Sequence, residues 1–122
     1  MYGEENRDGW LATKGHLREM DARVRQHGGR LLVALWPLLV GLEGPYPFER
    51  VHATLGDFFR EAGIRHHDLL PDLRGRPSAS LWVHRVDHHP NEEGHRIAAE
   101  ALAPLVADLV ALPPAGAVPT RR

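Results

Sequence analysis

RLLVALWP, running from Arg30 to Pro37, is the stretch that decides the fold class. Its apolar run, Leu31 to Trp36, has no polar alternation, which is the pattern of a parallel strand covered on both faces, and Pro37 ends it because proline cannot donate to a ladder. Upstream, Leu17, Met20 and Val24 recur at helical spacing among charged neighbours between Trp10 and His27, and Gly28 and Gly29 follow where a left-handed cap belongs. Downstream, a loop containing Gly41, Gly44, Pro45 and Pro47 leads into Phe48, Val51, Leu55, Phe58 and Ala62, which share one helical face and are closed by Gly63. Ile64 to Leu70 then gives a short second strand that stops at Pro71.

The segment from Pro71 to Pro90 is the least regular part and offers at most a short extended piece around Leu81 to His84. Asn91 is a good helix N-cap, with Glu92 and Glu93 in the first turn where the helix dipole favours negative charge. The last helix should bury Ile97, Ala101, Leu105 and Leu109, and Pro104 should kink or break it. Alternation of helix, strand, helix, strand, loop and helix is the parallel crossover pattern of an α/β layer fold. Residues 1–112 are therefore expected to form a single α/β domain, and residues 113–122, with three prolines and no periodicity, a disordered tail. Two strands are too few to cover LLVALW on both edges, so the chain reads as part of a sheet that invites association.

Composition narrows the function classes. The chain has 122 residues, 43% hydrophobic and 25% charged, which suits one folded domain. Fifteen basic and sixteen acidic side chains give a formal charge of -1, so nucleic acid is not an expected partner. No cysteine is present, which removes disulfides, thiolate metal ligands and cysteine nucleophiles. Leu31 to Leu42 is broken by Pro37 and Gly41 and falls short of the roughly 20 apolar residues a spanning helix needs. The opening MYGEENRDGW carries acids and no apolar core of a signal peptide, leaving the cytoplasm as the default compartment. The unusual counts are nine histidines and only two serines, Ser78 and Ser80.

Most of the chemistry concentrates in Asp87, His88, His89, Pro90, Asn91, Glu92, Glu93, Gly94 and His95, followed directly by an apolar helix. A carboxylate beside an imidazole can hold one ring nitrogen and leave the other to act as a base. The string Asp-x-His-Pro-Asn-x-x-Gly-His resembles the last sequence block of SGNH (GDSL-like) hydrolases, which are serine esterases and lipases. With decreasing specificity the similarity extends back through the Gly29–Pro37 strand, the Tyr46–Gly63 helix and the IRHHDLL segment. It covers the C-terminal half of that family. The resemblance implies a partial flavodoxin-like three-layer sandwich, a short parallel sheet flanked by helices, with His89 as catalytic base and Asp87 as its orienting partner. The commoner family spacing puts the carboxylate three residues before the histidine, where this chain has Val86.

By the same comparison the Gly-Asp-Ser nucleophile block and the oxyanion-hole blocks are absent, so the isolated chain is expected to be inactive on esters. Ser78 and Ser80 lie in an irregular segment without the strand-to-helix elbow that exposes an attacking serine. No cofactor and no metal are required by this chemistry. A zinc reading would use His84, His88, His89 and His95 with Asp87, but their spacing matches no zinc motif. Adjacent His66 and His67 would point to opposite faces of a strand, and a solvated edge accounts for them. Asn91 reads as the cap, and Gly94 and His95 as packing residues of the helix. The expected partners are an ester substrate, if a nucleophile-bearing segment completes the site, and a second copy or another chain. The rival class is a non-catalytic interaction module, or a degenerate hydrolase remnant, that oligomerises through its sheet edge.

Overall fold

The computed structural model describes residues 6–113. Helix α1 (Arg7–Gln26) leads to strand β1 (Leu32–Leu35), helix α2 (Glu49–Ala62), strand β2 (Arg65–Asp68) and the single turn α3 (Leu70–Leu73). A 3-10 turn at Ser78–Leu81 opens a hairpin of β3 (Trp82–His84) and β4 (Asp87–Pro90), and helix α4 (Glu92–Ala111) follows at once. The fold is a mixed α/β arrangement with short sheets. Strands β1 and β2 pair in parallel, Leu32 beside Arg65 and Leu35 beside Asp68, joined by the α2 crossover. Apart from Pro113, the segment expected to be a disordered tail lies outside the described residues.

Glycine geometry closes the helices where the sequence places it. Gly63 takes φ 66°, and the Ile64 N–H bonds the Phe59 carbonyl at 2.9 Å, so two otherwise orphaned helix-end groups are satisfied. Gly28, at φ 77°, does the same work after α1. Side chains alternate along β1, and the core divides accordingly. Leu31 and Val33 join Phe58, Phe59 and Ile64 with Trp10 and Leu17, whereas Ala34 and Trp36 join the cluster built on Leu39, Leu42, Leu69, Leu73, Leu81 and Ile97. Leu42, Leu69, Leu73 and Leu81 are wholly buried, each contributing roughly 1.5–3 kcal/mol relative to exposure.

The short extended piece near Leu81 is present as β3, which pairs antiparallel with β4, and three other expectations are corrected. Asp87–Pro90 is strand, not loop. Helix α4 runs through Pro104. Pro104 and Glu100, whose carbonyl loses its usual donor there, both lie on the exposed side, where water can take that bond. Strand β1 is half-buried along its length instead of fully covered, because among the described residues it has one neighbour only. The α4 stripe shares this shortfall: Ile97 is buried, but Ala101, Leu105 and Leu109 are half-buried.

Candidate active site

Strand β4 fixes the dyad by its period of two. Asp87 and His89 share one face, and His88 takes the other, where its ring stacks on Trp82 with centroids 3.8 Å apart and planes at 15°. Asp87 Oδ1 accepts the His89 backbone N–H at 3.1 Å and faces His89 Nδ1 at 2.5 Å. A carboxylate can only accept, so Nδ1 carries the hydrogen and Nε2 presents a lone pair. The His89 imidazole, followed by its backbone N–H, holds the Asp87 carboxyl below the usual aspartate range. The arrangement can hold an imidazole in one orientation with its Nε2 outward, and it stands in solvent: the His89 side chain is 86% exposed and that of Asp87 47%.

Asn91 anchors the dyad to the fold. Its Oδ1 accepts the Gly94 N–H at 3.1 Å, capping α4, while Nδ2 donates to the Ser80 carbonyl at 2.9 Å and the Trp82 carbonyl at 3.2 Å. One side chain thus joins the 3-10 turn, β3 and α4. Gly94 is buried, and a Cβ there would lie 3.0 Å from Pro90 Cβ, so a side chain would crowd the start of α4 against the end of β4. His95 stays exposed, its ring edge-on to Trp36 at 5.7 Å.

An open groove of about 670 Å³ runs along the dyad, walled by Trp36, Leu38, Leu39, Val86 and Pro90, with His88 and His95 at its borders. Trp36 to Leu39 directly continue β1, so the carboxyl end of that strand forms one wall. No hydroxyl or thiol side chain lines the groove. A second, larger groove of about 1020 Å³ lies across Pro90 and contains neither Asp87 nor His89.

Neither serine approaches the dyad. Ser78 is buried and committed to the Glu43 carboxylate through its backbone N–H and its hydroxyl, while its Oγ accepts the Leu42 N–H at 3.1 Å. Ser80 Oγ donates to the Pro77 carbonyl at 2.7 Å. Val86 contributes a groove wall and lies 86% exposed. His84 Nδ1 accepts the Val86 N–H within the hairpin turn, and His88 is held on Trp82, so the histidines weighed for zinc are dispersed. Among the described residues no three His, Asp or Glu side chains converge as a metal site would require.

His66 and His67 do point to opposite faces of β2, but both are half-buried and engaged. His66 lies against Phe59 at 5.0 Å, and His67 Nε2 donates to Asp72 Oδ2 at 2.7 Å. Like His67–Asp72, a third aspartate–histidine pair escaped the sequence reading: His52 Nδ1 lies 2.8 Å from Asp68 Oδ1, with the His52 side chain 7% exposed. Its signal was available. His52 falls on the apolar face of α2, one turn after Phe48 and one before Leu55, where an uncharged neighbour would be expected.

No family model, no curated protein and no solved structure matches the chain. No helix among the described residues is long and apolar enough to cross a membrane.

Proposed function

We propose that the chain supplies the aspartate and histidine of an SGNH-type serine ester hydrolase, with the nucleophile coming from a segment outside this sequence. The observation that carries the reading is the Asp87–His89 contact, which fixes the imidazole tautomer and leaves Nε2 open beside an apolar groove. In this reading a serine held near Nε2 attacks the ester carbonyl, His89 takes its proton and returns it to the leaving alcohol, and Asp87 stabilises the imidazolium. The fold is then one portion of a flavodoxin-like three-layer sandwich, whose further strands lie beside β1. Solvent exposure of the dyad fits an incomplete site, because a base works on a bound ester only when neighbouring groups position it and exclude water.

The test has two stages. Alone, the chain should hydrolyse p-nitrophenyl esters no faster than free imidazole, since the covalent step has no nucleophile. Co-expressed with a Gly-Asp-Ser-bearing polypeptide encoded immediately upstream of Met1, it should yield an esterase whose serine reacts with a fluorophosphonate, and His89→Ala should abolish both signals. Absence of any such coding segment, or activity that survives His89→Ala, overturns the proposal. The second reading, a non-catalytic module, draws on the outer edge of β1, which pairs with no other described strand. It predicts association that is indifferent to His89→Ala.

A further inference from the structure

The pair of buried His52 and half-buried Asp68 lies away from the His89 groove and plays no part in the proposed hydrolysis. Asp68 Oδ1 also accepts the Leu70 N–H at 2.9 Å, so the carboxylate is locked at the start of α3 and fixes the imidazole in turn. Because the carboxylate accepts, His52 Nδ1 carries the hydrogen, and in the neutral imidazole Nε2 is then a lone pair. No described group bonds that nitrogen, and among the described residues no fully buried side-chain nitrogen or oxygen lacks a partner. His52 Nε2 therefore reaches open space, which is a cleft of about 340 Å³ between α2 and the outer edge of β2.

Two further groups converge there. His66 Nδ1 faces the Ile64 carbonyl at 3.4 Å, which leaves its Nε2 as the accepting nitrogen, and this Nε2 lies 3.8 Å from the point a Gly56 Cβ would occupy. Arg60 Nη1 lies 3.4 Å from the same point, while its Nη2 donates to Asp57 Oδ1 at 2.5 Å, leaving Nη1 and Nε as the donors that face a ligand. Gly56 is an interior helix position, where glycine costs about 1 kcal/mol relative to alanine. What the missing Cβ leaves open is the space between the guanidinium and the His66 imidazole. At the rim Arg74 pairs with Glu49 at 2.8 Å, and the Asp68 carboxylate also lines the cleft, where the His52 imidazole occupies it.

We propose that this cleft binds a protonated phosphate-type oxyanion, as inorganic phosphate or as the phosphoryl group of a monoester. The chemistry selects it by two demands at once. Arg60 offers N–H donors to anionic oxygens, and two Nε2 lone pairs require a ligand that brings its own proton. A hydrogen phosphate satisfies both, donating P–O–H to an imidazole while its other oxygens accept from the guanidinium. Sulfate has the same shape and no proton to give, so it should bind poorly.

The experiment titrates the full chain with inorganic phosphate, phenyl phosphate and sulfate, following histidine ring nitrogens by NMR. Phosphate should move the His52 and His66 Nε2 signals saturably below about 10 mM, with sulfate at least about tenfold weaker. Tighter binding of phenyl phosphate than of phosphate identifies a monoester as ligand, and the reverse identifies the free ion. Gly56→Ala should place a methyl in the cleft and weaken phosphate about tenfold while leaving the fold as stable or more so, and Arg60→Gln should weaken it similarly without touching the core. Equal response to phosphate and sulfate, a non-saturating response, or affinity unchanged in both variants overturns the proposal.

Discussion

Asn91 is the residue on which the hairpin and α4 depend together, and three substitutions' worth of information can be read from two. Replacing it by alanine removes a cap acceptor, which costs about 1 kcal/mol, and two donor contacts to the Ser80 and Trp82 carbonyls, about 0.5–1 kcal/mol each. Asn91→Ala should therefore destabilise by about 2–3 kcal/mol, a large share of the 5–15 kcal/mol typical of a domain. Serine keeps the capping oxygen and loses the donors, so Asn91→Ser should cost about 1–2 kcal/mol. Urea melts of the three proteins separate the contributions: wild type against serine reads the carbonyl contacts, and serine against alanine reads the cap. Because Asp87 and His89 ride on the strand that Asn91 holds, the His89 amide should also exchange faster in the alanine variant. An alanine variant within about 0.5 kcal/mol of wild type would refute the assignment of Asn91 as the joint between hairpin and helix.

Two glycines should respond oppositely to alanine. Gly94→Ala drives a methyl to 3.0 Å from Pro90 Cβ and should cost about 1–3 kcal/mol, whereas Gly15→Ala, with nothing within 4 Å, should stabilise α1 by up to about 1 kcal/mol, both read by thermal melts. Asp87, with its carboxyl held below the ordinary range, contributes stability above the unfolded value of about 3.9 and loses it as pH falls through the depressed folded value. Its carboxyl carbon should accordingly titrate below that value by NMR, and a normal or raised midpoint would break the link to His89. Light scattering coupled to size exclusion should find the chain associated through the outer edge of β1; a monodisperse monomer with a cooperative melt would show that the two-stranded sheet is sufficient alone.

Local chemistry was legible and non-local pairing was not. Gly63, Asn91 and the apolar face of α2 act through neighbours within a few residues, so their spacing alone specified the cap, the N-terminus and the buried side. Asp87 and His89 were legible from the Asp-x-His-Pro-Asn string itself, which sets a carboxylate two residues before an imidazole. The hairpin was hidden because Trp82, Val83 and His84 are too few to set a period, and its turn, Arg85 and Val86, carries no glycine, asparagine or proline. His52 and Asp68 were hidden because each sits in a different element; only the packing of α2 on β2 brings them together, and that is a tertiary fact. Pro104 does not end α4, because its cost depends on exposure, which the residue type does not encode.

Several features that look unrelated have one physical origin. Helices α1 and α4 each span 20 residues, about 30 Å, whereas β1 and β2 have four residues each, about 13 Å. A helix in a protein is stable mainly through the face it buries, yet α1 has no fully buried residue, and α4 buries only Gly94, Ile97 and Ala98 near its start. The half-burial of β1 and the exposure of His89 belong to the same shortfall. A parallel strand beside β1 would cover more of both helices and would close that edge. It would also end where β1 ends. Since β1 continues into Trp36, Pro37 and Leu38, which wall the His89 groove, the loop following a parallel neighbour would emerge beside that groove, at the carboxyl ends of the strands where α/β folds place their chemistry. Under the proposed function, an element pairing there would bring a nucleophile towards Nε2. Completing the fold and completing the triad are, on this reading, one event.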